Sequence, residues 1–90
     1  MKFEYDPTKS VSNKAKHGLD FDEARALWDD GSRIEFEART TIEARWLMVG
    51  RIGDKLWTAV FTIRNEAVRL ISVRRARDEE RQWYEDDQGQ

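Results

Sequence analysis

Five side chains in this sequence of 90 residues have the types and placement for acid–base and anion chemistry: His17, Arg64, Arg74, Glu80 and Tyr84. Arginine dominates the basic residues, and its planar fork of donors matches a phosphate or a carboxylate through two bonds. Arg51, Arg75, Arg77 and Lys16 are further candidates for holding an anion. His17 is the one side chain whose unperturbed pKa lies near neutrality. It also stands just before Gly18, where an imidazole can cap helix carbonyls instead. Glu80 and Tyr84 follow the run "VRRAR" at a helical spacing of four. Glu80 could act as a base, or it could orient Arg74 or Arg77 through a salt bridge.

The formal net charge of −2 hides a blockwise pattern. Residues 1–17 carry four lysines against two acids, and residues 18–37 carry seven acids against two arginines. Between residues 39 and 77, nine bases face three acids, and the tail from Asp78 onward sets six acids against Arg81. A basic middle on a protein that is not basic overall implies a local anion-binding surface. There is no cysteine, so a disulfide framework and a thiolate metal site are both excluded. With a single His, neither a structural metal nor a cofactor is expected. The start "MKFEYDPTKS" lacks the apolar run of a signal peptide, and nothing approaches a membrane span, so a soluble cytoplasmic protein is the expectation.

The elements that must position these groups can be read from periodicity. "KFEY" alternates like a short strand. "DPTKSVSNKAKHG" has Asp6 as N-cap, Pro7 at the first helical position and Gly18 past the end, with Val11 and Ala15 as its apolar anchors. "LDFDEARALWDDG" opens on a capping box, Asp20 with Glu23, and forms the second arm of a helical hairpin. From Arg33 the period becomes two: "RIEFEA", a polar connection over Thr40 to Glu43, then "WLMVGRI", "KLWTAVFTIR" and "AVRLISVRR", with tight turns at "GD" and "NE". Gly50 marks a bulge or a close backbone approach.

The pattern predicts an α+β fold: an N-terminal helical hairpin packed on a four-stranded antiparallel sheet, with "KFEY" available as a fifth edge strand, and a C-terminal helix from about Arg77 to Glu85. All 90 residues form one domain, with 86–90 as a frayed tail. Trp57, Ala59, Phe61 and Ile63 should face the core, as should Ile71 and Val73. Ala76 and Trp83 should pack inward. Arg64, Ser72 and Arg74 take the opposite parity and could meet if the register permits.

Three segments, "FEYDPTKSVSNKAKHGLDFDEARALWDD", "MVGRIGDKLWTAVFTIR" and "RLISVRRARDEERQWYE", together resemble the BrnT toxins, the ribonuclease half of BrnT/BrnA toxin–antitoxin systems. The resemblance runs from Phe3 to Tyr84, with Tyr5 where Trp is commoner and Trp28 where Phe is commoner. It implies a RelE-like fold, metal-free RNA cleavage that inhibits translation, and neutralisation by a BrnA-like ribbon-helix-helix antitoxin. Operator DNA would be met only through the toxin–antitoxin complex. Such cleavage requires activation of the 2′-hydroxyl, stabilisation of charge on the phosphate and protonation of the leaving oxygen. Arg64 and Arg74 are then the leading phosphate clamps. His17 or Glu80 serves as acid or base, and Tyr84 stacks on a base or binds a phosphate. The rival reading is a non-catalytic antitoxin-binding or RNA-binding module that acts as an operon co-repressor.

Overall fold

The computed structural model describes residues 1–38 and 43–89, so Arg39 and most of the Thr40–Glu43 connection lie outside the described residues. The chain enters through β1 (Lys2–Glu4) and continues into α1 (Pro7–His17) and α2 (Phe21–Ala24). A 3₁₀ helix over Arg25–Asp29 leads to β2 (Ile34–Ala38), β3 (Arg45–Ile52), β4 (Lys55–Arg64), β5 (Ala67–Arg75) and α3 (Asp78–Gln88). The five strands form one sheet in the order β1-β5-β4-β3-β2.

The antiparallel expectation fails at one edge. β1 does pair at the rim, but it runs parallel to β5, so the sheet is mixed. A parallel neighbour needs a long crossover, and here everything from α1 to β4 separates the two strands. The second arm of the helical pair also departs from a regular α-helix. Its capping box forms, with Asp20 accepting from Glu23 N at 2.7 Å and Glu23 accepting from Asp20 N at 2.9 Å. One turn later the chain tightens to 3₁₀ geometry. The buried residues Phe21, Ala24 and Leu27 recur every three residues, which suits three residues per turn.

α1 is anchored by polar groups and not by Val11 and Ala15, which are exposed. Ser10 Oγ accepts from Phe21 N at 2.9 Å. Asn13 accepts from Val73 N at 3.1 Å and donates to Val73 O at 2.8 Å and Leu19 O at 2.7 Å. Its amide thus satisfies β5 beyond the last residue of β1, where the strand edge would otherwise lack partners.

The sheet has two unlike faces. On the helical face, Met48, Trp57, Ala59, Phe61, Val68, Leu70 and Val73 pack with Leu19, Phe21, Ala24 and Leu27. Strand parity predicts Ile63 among them, but it is 51% exposed, because β4 runs past the cover of the helical pair. Ile71 is likewise absent from this core. Val60 pairs with Ser72 and Phe61 with Leu70, so Ile71 is a bulge residue and the parity of β5 flips there. Leu70 is buried in its place.

Gly50 lies on the helical face, paired with Trp57, and is the predicted close approach. A Cβ there would stand 3.1 Å from Leu27 Cδ2, inside the core. Gly50→Ala should destabilise the fold by about 1–2 kcal/mol as an overpacking defect, read as a lower urea midpoint at unchanged slope. The "GD" and "NE" turns form as expected, with Gly53, Asn65 and Glu66 all at positive φ.

Candidate functional site

Strand parity sorts the charges. Arg45 and Arg51 share the side of β3 that carries Val49, and Arg64 shares that of Thr58 on β4. Arg74 lies opposite Thr58, and Arg69 opposite Thr62. Five arginines from three strands therefore occupy the face away from the helical pair, while Glu35 and Glu37 on β2 take the other side, opposite Met48 and Trp46. α3 closes one end of this arginine face. There Ala76 and Tyr84 pack on Val49 and Leu56, with Ile34 and Phe36 alongside.

Under α3, Glu80 is buried, 5% exposed, and its carboxylate is surrounded by donors. Arg74 donates to it through both terminal nitrogens, at 2.7 and 2.9 Å. Thr58 Oγ1 donates at 2.9 Å and Arg77 N at 2.8 Å. Burial alone would raise the carboxyl's pKa. The bonds from Arg74, Arg77 N and Thr58 outweigh it and hold Glu80 well below the usual carboxylate range, at about 2. The bond to Glu80 in turn raises the pKa of Arg74 against the opposing effect of burial. A carboxylate so stabilised is a weak proton acceptor and a strong orienting group.

One helical turn on, the Tyr84 hydroxyl donates to Asp30 Oδ2 at 2.8 Å, and the Arg51 guanidinium lies 5.6 Å from the ring centre. Asp30 also accepts from Arg51 N at 2.8 Å and Ser32 N at 2.9 Å. Burial opposes the charge on Asp30, but these bonds prevail and lower its pKa. Burial, and then Asp30, push the Tyr84 phenol up. Tyr84 is 3% exposed within the smaller core cluster, so its ring is not open to a nucleobase.

The fold thus gathers Arg51, Arg74, Arg77, Glu80 and Tyr84 around α3 and leaves the other candidates apart. Arg64 and Arg74 do not meet. Arg64 pairs with Ala67 across the ladder, six β4 residues beyond Thr58, which places the two arginines about 20 Å apart along the strands. Arg64 instead contacts Glu43 at 3.3 Å, an exposed pair. Arg64→Ala should weaken binding of an anionic polymer only a few-fold and reduce the salt dependence by about one counterion, measurable by titration at several salt concentrations. Arg75 belongs to the helical side, 5.5 Å over the Trp57 ring. Lys16 and His17 end α1, and no hydrogen bond or ion pair among the described residues joins either to Arg74, Glu80 or Tyr84.

Two members of the cluster escaped the sequence reading. Thr58 sits on the non-core parity of β4, and only the register shows it beside Arg74. Asp30 lies in the "DDG" segment, whose composition signals a helix end and nothing more. α3 also runs three residues past the predicted Glu85, and Gln88 donates to Ser32 O at 3.1 Å.

The molecule is therefore a small α+β protein whose mixed sheet presents one apolar face covered by the helical pair and one arginine face closed by a terminal helix. The chain belongs to a known family: residues 5–80 match the family model described as the ribonuclease toxin, BrnT, of type II toxin-antitoxin systems. Membership makes it a toxin of that class with a ribonuclease role, an RNA target and an antitoxin partner. A search of curated proteins returned no match. No helix among the described residues is long and apolar enough to cross a membrane.

Proposed function

We propose that the protein is a metal-independent endoribonuclease that cleaves RNA on the arginine face and thereby inhibits translation in the cytoplasm. In this reading the fold is RelE-like, and a BrnA-like ribbon-helix-helix antitoxin neutralises the toxin and carries the complex to operator DNA. The supporting observation is Arg74, a half-buried guanidinium fixed by both oxygens of Glu80 beside an open, arginine-lined sheet. A guanidinium has five N–H donors, and Glu80, with the Arg75 carbonyl at 3.4 Å, engages only part of that set. The remaining donors and the fixed charge are suited to a phosphate whose non-bridging oxygens gain charge as the 2′-hydroxyl attacks.

In this scheme Arg74 is the catalytic residue. As the 2′-oxygen bonds to phosphorus and the bond from phosphorus to the 5′-oxygen breaks, it stabilises the charge on the phosphate, while solvent water takes the 2′-proton and supplies one to the departing 5′-oxygen. Glu80 and Thr58 position it, and Tyr84 with Asp30 positions Arg51 as a second phosphate contact. Arg45, Arg64 and Arg69 hold flanking phosphates, and Arg77 lies at the entrance to α3. Arg75, Lys16 and His17 are assigned to the periphery. The rival, a binding module without chemistry, draws support from the engagement of both Glu80 and Tyr84 in fixed hydrogen bonds. Incubation of the purified protein with RNA in EDTA separates the two. The nuclease reading requires fragments ending in a 2′,3′-cyclic phosphate and a 5′-hydroxyl. Intact RNA at high protein concentration overturns it.

A further inference from the structure

Trp83 is the one tryptophan among the exposed large apolar side chains, 41% exposed, although its place in α3 predicts an inward residue. It follows Glu80 by three residues, about 4.5 Å along the helix axis. Its ring meets Phe36 edge-on, with centroids 5.2 Å apart and planes at 89°, so Phe36 covers at most one face of the indole. Phe36 opens a register row that runs through Leu47 and Val60 to Ser72 on the arginine face. All four residues of that row are only partly buried. The adjoining row, Ile34, Val49, Thr58 and Arg74, lies at α3. Trp83 therefore stands where the helix borders the open part of the sheet, one helical step from the group that holds Arg74.

An aromatic face at the end of this row, with Arg74 in the row on one side and Arg45 and Arg69 on the other, fits a single-stranded nucleic acid, whose phosphates track the charge while its bases seek π surfaces. A double helix buries its base faces and could not use the indole. We infer that Trp83 is a nucleobase platform, stacking one base of a single-stranded RNA whose phosphate about two nucleotides further on reaches Arg74, three strand spacings or about 14 Å across the sheet from Phe36. The inference rests on the RNA reading of the arginine face and adds the recognition element that Tyr84, being buried, does not supply.

The test uses a short fluorescein-labelled 2′-O-methyl RNA, which lacks the attacking hydroxyl, and the same backbone carrying abasic nucleotides. Affinities are read by anisotropy for the wild-type protein and for Trp83→Leu, Trp83→Ala and Trp83→Tyr. Trp83→Leu keeps an apolar contact for Phe36, so it controls for packing. The Leu and Ala variants should bind the base-bearing RNA about tenfold more weakly, with Tyr close to wild type. On the abasic RNA the wild type should lose a similar factor, and the variants should no longer differ from it. Equal binding of the base-bearing RNA by wild type and Trp83→Leu overturns the platform alone. Failure of the wild type to bind either RNA overturns the RNA reading of the face, and the platform with it.

Discussion

Glu80→Ala should cost about 3 kcal/mol of folding stability, the low end of the range for breaking a buried ion pair, because it strands Arg74 and Thr58 without an acceptor. In a domain of this size that corresponds to a melting temperature lower by roughly 15 °C. The same carboxylate sets a pH dependence. Its folded pKa, about 2, lies below the ordinary value of 4.5, so its contribution is fully present above pH 4.5. It fades as pH falls toward 2, where both folded and unfolded chains bind the proton. Chemical denaturation of the wild type from pH 7 to pH 2.5 should show this loss, and Glu80→Ala should have a flatter profile over the same window. A double variant, Arg74→Met with Glu80→Leu, should recover only part of the stability, since the apolar pair carries no desolvation penalty but Thr58 Oγ1 and Arg77 N still lack their acceptor.

Arg74→Lys should lower the rate of RNA cleavage by about 100- to 1000-fold in single-turnover reactions while leaving the protein folded. The lysine ammonium can still pair with Glu80, so the buried charge is not abandoned. It lacks the planar fork, however, and a point charge held by Glu80 has no second edge to offer a phosphate. The loss should fall mainly on the cleavage step, with affinity for a non-cleavable RNA changing only a few-fold, because the flanking arginines still bind the backbone. Arg64→Ala should show the opposite division, since its strand register places it far from Arg74.

The capping signals around α1 and α2, the two hairpin turns and the start of α3 were all readable, because each depends on a few neighbouring residues. The arginine face was readable only in part. Strand parity predicted that Arg64 and Arg74 share a side, and they do. It could not give their separation, which depends on where β4 and β5 are joined and how they pair. The bulge at Ile71 has no local signature in "RLISV", yet it exchanges Ile71 for Leu70 in the core. Asn13 and Asp30 reach partners 60 and 54 residues away, distances over which periodicity carries no information. The sequence allows Glu80 to be a base or a salt-bridge partner. The packing of α3 on Thr58 favours the second, by surrounding the carboxylate with donors.

The central claim is that RNA occupies the arginine face of the sheet. Amide chemical-shift mapping during titration with a short 2′-O-methyl RNA tests it most directly. The account predicts perturbations clustered on Arg45, Leu47, Val60, Thr62, Ser72, Arg74 and Trp83, with the amides of α1 and of Phe21–Asp29 unmoved. Perturbations centred on α1 and the 3₁₀ helix, with those strand amides silent, would contradict it.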